Sequence, residues 1–291
     1  MEDEFETTIS PYYGEVYCGL AGCSEKALRA KHWQSLRFCC EAHRVIFVSV
    51  MAHACMGHPS AGPYVSKLII TGSPMSRIEL HFLDVGRPDY ISLSTQFTSK
   101  WLHSKPKRGV KVVDIIKIEV PRAIRERHED YKTMVPNVRR RFHGTHCSGL
   151  CSFYVGGSMC LMPDCGLCNI CLHGFKLEEN VGNSPARSGR RGWLAFGRGV
   201  YFSSVSGKAN DFSDLTTRLT ADGTNVRCML VADVAAGKAF LTKENKFPKM
   251  ERPPLGYDSV VGEVGPKLKY DELVVYEPAA ALPTHFVVYR H

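Results

Sequence analysis

Glu272-Leu273-Val274-Val275-Tyr276 is a short β-branched run, and it has companions on both sides. Arg227 to Val234 reads RCMLVADV and His285 to Tyr289 reads HFVVY, each set off by Gly, Pro and Asp. Such runs read as strands, and helical periodicity is weak between them. Further back, Ile78 to Phe82 (IELHF) and Val112 to Val120 (VVDIIKIEV) have the same character. Pro121 to Lys132 (PRAIRERHEDYK) opens with proline and is charged, so it reads as a surface helix. Pro, Gly and Ser gather at 182–192 and 252–259, marking two exposed loops, and SKPKRG at 104–109 is a third. The expected fold is α+β with a mostly antiparallel sheet core.

Composition bounds the rest. A chain of 291 residues, 44% hydrophobic and 23% charged, has the makeup of an ordinary globular protein and can bury a sizeable core. The net charge of +8 is largely local, since Lys100 to Arg141 holds thirteen Lys or Arg against five Asp or Glu. That excess suits an anionic partner such as a dinucleotide, and beyond it nucleic acid, although a solvated basic face accounts for it equally well. No stretch reaches the roughly 20 apolar residues a membrane span requires. Val45 to Met56 is too short and carries a histidine, so it reads as a buried helix. The acidic opening MEDEFETTIS lacks the basic and apolar regions of a secretory signal. The expectation is an intracellular protein, nuclear or cytoplasmic, in which twelve cysteines serve metal rather than disulfides.

Three pieces carry the chemistry when read in order. The first is Arg141-Phe142-His143-Gly144-Thr145. The second is Gly197-Arg198-Gly199-Val200-Tyr201-Phe202-Ser203-Ser204 with Lys208-Ala209-Asn210-Asp211-Phe212 after it. The third is Tyr270-Asp271-Glu272-Leu273-Val274-Val275-Tyr276. Singly, each residue fits a structural role: a core histidine, a packed strand tyrosine, a surface glutamate. Their order along one chain resembles the catalytic domain of the poly(ADP-ribose) polymerase family, over roughly residues 110–291. The resemblance implies a split antiparallel sheet gripping NAD+, with His143, Tyr201 and Glu272 as a triad. It also implies NAD+ contacts at Gly144, Thr145, Ala209 and Phe212. The family usually has a serine and then an aromatic, often tyrosine, where an ungapped reading puts Ala209 and Phe212. The lost serine hydroxyl is a hydrogen bond worth about 1 kcal/mol net. No long amphipathic bundle is legible before the motifs, so a counterpart of the family's helical regulatory subdomain is not expected.

The residue types suit the reaction. Nicotinamide in NAD+ carries a positive ring nitrogen and leaves without a strong acid. Positive charge then develops on the ribose, giving an oxocarbenium-like centre. Glu272 is expected to stabilise that charge beside the ribose hydroxyl. Tyr201 is expected to stack on the nicotinamide ring. His143 is expected at the adenosine-ribose hydroxyl, and Gly144 at the carboxamide through its main chain.

The cysteines fall into two clusters. Cys18, Cys23, Cys39 and His43 give two ligand pairs for tetrahedral zinc, with Cys40 an alternative to Cys39. They define an N-terminal zinc-binding module over residues 1–60, and the catalytic domain then spans 64–291. The second cluster lies in a cysteine-rich insertion at 146–175. There Cys165-x2-Cys168 pairs with Cys160 and Cys147, and Cys151 and Cys171 are alternatives. All-thiolate ligation implies a closed structural Zn2+ site.

The expected activity is transfer of ADP-ribose from NAD+ to a protein acceptor, with nicotinamide released. Hydrolysis of NAD+ uses the same cleft with water as acceptor. A catalytically silent, zinc-stabilised nucleic-acid-binding module is the reading from a different class, and it predicts steeply salt-dependent binding without nicotinamide release.

Overall fold

The computed structural model describes residues 78–102, 109–147, 154, 162, 165–177, 194–213 and 225–291, together with the backbone of two short strands, Lys67–Ile70 and Arg218–Leu219. The N-terminal cluster Cys18, Cys23, Cys39 and His43, the Val45–Met56 stretch, Cys151, Cys160 and the 182–192 loop lie outside the described residues.

The strands, in chain order, are β1 Lys67–Ile70, β2 Ile78–Phe82, β3 Lys111–Glu119, β4 Val138–His143, β5 Val200–Phe202, β6 Arg218–Leu219, β7 Asn225–Ala235, β8 Ala239–Thr242, β9 Ser259–Gly262, β10 Glu272–Val275 and β11 Ala281–Arg290. The helices are α1 Pro88–Ser99, α2 Arg122–Met134, α3 Gly166–His173 and α4 Ser206–Asn210. The larger sheet runs β1-β2-β3-β11-β7-β4, with β6 added to β7, and every pair in it is antiparallel. The smaller sheet runs β5-β10-β9-β8, and only β8 and β9 are parallel.

The central strands are covered on both faces, which is why β7 is apolar almost throughout. Along it, Met229 and Val231 enter one cluster while Cys228 and Leu230 enter another, as strand alternation requires. The first cluster is roofed by α1 through Tyr90, Leu93 and Phe97. Phe97 is its hub, with Phe142, Tyr289 and Trp101 at ring-centroid distances of 5.6, 5.1 and 5.5 Å. The second is covered by α3 through Leu167, Cys168 and Cys171. Four of the insertion's cysteines, Cys147, Cys165, Cys168 and Cys171, are buried in that cluster.

Every strand and the helix expected above from described residues is present, with shifts at the ends. The surface helix begins at Arg122 with Pro121 as its cap residue. The last strand is longer than expected, because Ala281–Thr284 continues it through a register shift between Pro283 and His285. A proline cannot donate to a ladder and is accommodated at such an irregularity.

Two partly buried groups on adjacent strands titrate against each other. Burial pushes the Asp114 carboxyl on β3 up to about 6 from 3.8. Burial, helped by Arg140, pushes the His285 imidazole on β11 down to about 4 from 6.5. As pH rises from about 4 to 6, folded Asp114 keeps a proton that the unfolded chain surrenders, so stability falls. Over much of the same window the unfolded chain holds a proton that folded His285 refuses, so stability rises with pH. The two slopes oppose each other. Asp114→Asn is therefore expected to raise stability near neutrality by on the order of 1–3 kcal/mol and to uncover the histidine's slope. Denaturant midpoints across this window check both points.

Candidate active site

The two sheets share a core cluster, Val200, Phe202, Leu273 and Val275 packing on Ala232 and Val234, and are joined by a pair of main-chain hydrogen bonds between Phe142 and Ser203. Phe142 N donates to Ser203 O at 2.9 Å and Ser203 N donates to Phe142 O at 3.1 Å. A clasp of side-chain bonds adds β10 to the same junction. Ser203 Oγ donates to Asp271 O at 3.0 Å and to Asp271 Oδ1 at 3.2 Å, while Ser204 gives Asp271 Oδ1 both its N–H, at 3.1 Å, and its Oγ–H, at 2.8 Å. His143 follows Phe142, Tyr201 precedes Ser203 by two, and Glu272 follows Asp271. The junction thus fixes all three expected catalytic residues within two residues of itself.

Register sets the directions of the side chains. Tyr201 lies opposite Val274, and Glu272 is two residues from Val274 on the same strand. Directly opposed residues share a face, and so do residues two apart, so Tyr201 and Glu272 share one face of the smaller sheet. His143 reaches the edge of β5 from the larger sheet. Its Nδ1 donates to Tyr201 O at 2.9 Å, and its ring meets Phe175 and Phe202 at centroid distances of 5.2 and 5.4 Å. Phe202 belongs to the opposite face, so the imidazole sits at the strand edge and not above the tyrosine ring. Burial lowers the pKa of His143 below its ordinary value. The neutral ring, with its proton held on Nδ1, leaves Nε2 as an acceptor.

Tyr201 is pinned at both ends. Its hydroxyl donates to Gly197 O at 2.8 Å and accepts from Phe196 N at 3.0 Å, fastening the strand to the preceding turn. Burial raises its pKa, so the hydroxyl stays protonated. Gly197 has a φ of +69°, and a Cβ there would stand 1.9 Å from Met250 O, so the turn requires glycine. Tyr201→Phe keeps the ring and loses the pin. It is expected to lower stability by about 1 kcal/mol, in line with the loss of one hydrogen-bonded hydroxyl, and denaturant midpoints check this.

The remaining expected cofactor residues divide. Gly144 packs against α4, where a Cβ would lie 1.9 Å from Ala209 O. Thr145 packs beside Gly166 at the start of α3. Ala209 is buried in the cluster of Phe97 and Phe142. Phe212 is 60% exposed. The α4 side chain that faces the carboxylate is Lys208: its Nζ lies 3.0 Å from Glu272 Oε1 and 4.9 Å from the centre of the Phe212 ring. Both members of that ion pair are mostly buried, at 23% and 12% exposure. Helix α4 is held firmly for so short an element, through Ser206 Oγ donating to Phe97 O at 2.7 Å and Tyr289 Oη donating to Asn210 Oδ1 at 2.7 Å.

Residues 89–265, more than half of the chain, match the model of the poly(ADP-ribose) polymerase catalytic domain. The chain belongs to that family. No curated protein sequence matches it. The family match covers His143 and Tyr201 and stops short of Glu272, so within this poly(ADP-ribose) polymerase domain the glutamate's place is given by strand register and the Asp271 clasp. The mixed α+β architecture with two antiparallel-rich sheets fits the family's catalytic fold. Sequence reasoning gave no role to Asp271 or Phe175.

Proposed function

We propose that this protein is an NAD+ ADP-ribosyltransferase that transfers ADP-ribose to a side chain of an acceptor protein and releases nicotinamide. The observation that carries the reading is the placement of Glu272 and Tyr201 on one face, with His143 tied to the tyrosine's own carbonyl.

In this reading the nicotinamide ring stacks on Tyr201 and Gly144 offers its main chain to the carboxamide. His143 Nε2 accepts from an adenosine-ribose hydroxyl. Glu272 accepts from the 2′-hydroxyl of the nicotinamide ribose, sharing its carboxylate with Lys208 or displacing that ammonium. The bond between C1′ and the nicotinamide nitrogen breaks, and its electron pair leaves with the ring. The charge left on the ribose forms beside the carboxylate, in a site with little water to screen it. The acceptor's lone pair closes the new bond to C1′, and its proton passes to solvent.

Incubation of the full chain with labelled NAD+ and mass analysis of the macromolecules tests the proposal. Label on protein side chains together with nicotinamide release is expected. Free ADP-ribose without transfer would select hydrolysis, and absence of any nicotinamide release would refute the enzymatic reading.

The zinc proposal stands on the insertion. Cys147, Cys165 and Cys168 are buried in one cluster, and with Cys160 they would supply the four thiolates of a structural Zn2+ site. Such an ion would staple α3 beside the His143 strand and take no part in the chemistry.

A further inference from the structure

On the far side of the larger sheet from His143, two carboxylates face one another across β2 and β3. Glu79 and Glu119 are register partners, and His81 lies two residues from Glu79 on the same face. Like charges directly opposite in a sheet are destabilising and call for a cation between them. His81 Nε2 points into the pair, 3.4 Å from Glu79 Oε2 and 3.6 Å from Glu119 Oε1. That nitrogen is buried and has no hydrogen-bond partner. A nitrogen that faces two carboxylates at these distances and is hydrogen-bonded to neither has room for an ion or water between them.

The spacing answers the question. Ligand atoms on a tetrahedral ion at about 2.0–2.2 Å stand about 3.3–3.6 Å from one another. The two distances from His81 Nε2 are edges of that size, and one ligand atom from each of the three residues lies within 4.8 Å of the others. An imidazole with two carboxylates is a nitrogen–oxygen donor set for a divalent transition-metal ion, and the three are only partly buried, leaving water as the fourth ligand. We infer that Glu79, His81 and Glu119 form a binding site for such an ion, with Zn2+ the best match to the tetrahedral spacing. The ion would fasten β2 to β3. Three strands separate β2 from β4, roughly 19 Å, so its role is structural and independent of the transfer reaction. Lys117 competes internally for one ligand, its Nζ lying 3.4 Å from Glu119 Oε1.

The probe is Co2+ added to the metal-free full chain and followed by visible absorption. Any Co2+ held by cysteines would be bound through sulfur and give strong thiolate charge-transfer bands, which an imidazole–carboxylate site does not. The wild type is expected to take up one equivalent of Co2+ without those bands, lost in His81→Gln and weakened at least about tenfold in Glu79→Gln. Lys117→Gln removes the competing ammonium, leaves all three ligands in place and is expected to tighten that equivalent. Equal uptake by wild type and His81→Gln, or no effect of Lys117→Gln on the sulfur-free equivalent, would show that an imidazolium ion pair and not a metal holds the carboxylates.

Discussion

Replacement of Glu272 by Gln is expected to slow nicotinamide release by about 10²–10³-fold while the Kd for NAD+ changes by less than about tenfold. The amide is nearly the size of the carboxylate and still accepts a hydrogen bond, so the ground state is bound in much the same way. What disappears is the negative charge, and its value lies in the transition state, where the ribose becomes cationic. Register holds that carboxylate on the Tyr201 face, and the Ser203–Asp271–Ser204 clasp fixes the start of its strand. The substitution leaves the clasp intact, so the loss should appear in kcat with the Tm nearly unchanged. Rapid-quench measurement of nicotinamide against titrated NAD+ separates the two quantities.

The second large effect is expected at Gly144, and it is structural first. A methyl group there would come within 1.9 Å of Ala209 O and 2.8 Å of Ser213 N. Both obstacles are main-chain atoms, so neither can swing aside as a flexible side chain would. Helix α4 is also clamped from behind by Phe97 and Tyr289, which blocks the simple retreat. Gly144→Ala is expected to cost about 1–3 kcal/mol, the usual range for forced overpacking, and to lower the Tm by several degrees. The shift of α4 would carry Lys208 away from Glu272 and move the main chain proposed to meet the carboxamide. NAD+ affinity should therefore fall along with stability, in contrast to the glutamate variant. Thermal melts and NAD+ titration of the same preparation distinguish the two patterns.

Much of this architecture is legible from residue types alone. The runs at 78–82, 112–120, 227–234, 272–276 and 285–289 all become strands: those at the centre are covered on both faces and nearly continuously apolar, while 78–82 alternates, with Glu79 and His81 on its less buried face. What escapes is set by contacts distant in sequence. Asp271 meets Ser203 and Ser204 across a gap of nearly seventy residues, and nothing local marks it as a clasp. The role of Lys208 escapes for a different reason. Adjacent residues on a helix point about 100° apart, so a one-residue choice of register decides which side chain faces the cleft. Ungapped counting from Tyr201 brings Ala209 to that place, whereas α4 turns Ala209 into the aromatic cluster and presents Lys208 to the glutamate. Residues 281–284 were hidden by Pro283, which normally ends a strand and here sits beside an irregularity in the ladder. The eight-residue α3 lies among closely spaced cysteines that suggest ligation before helix.

The lysine also gives the cleft a defined resting state. Its ammonium neutralises the carboxylate while the site is empty, which removes the penalty of a lone charge that is only 12% exposed. In the proposed reaction the ribose hydroxyl would join or replace that ammonium at Glu272, and the cleft need not be rebuilt.

The most direct measurement is a crystal structure of the full chain with NAD+ or a non-cleavable analogue bound. The expected result places the 2′-hydroxyl of the nicotinamide ribose within about 2.6–3.2 Å of the Glu272 carboxylate, with the nicotinamide ring over Tyr201 and the adenosine ribose at His143 Nε2. A dinucleotide bound elsewhere, or one whose nicotinamide ribose lies out of reach of Glu272, would contradict the account.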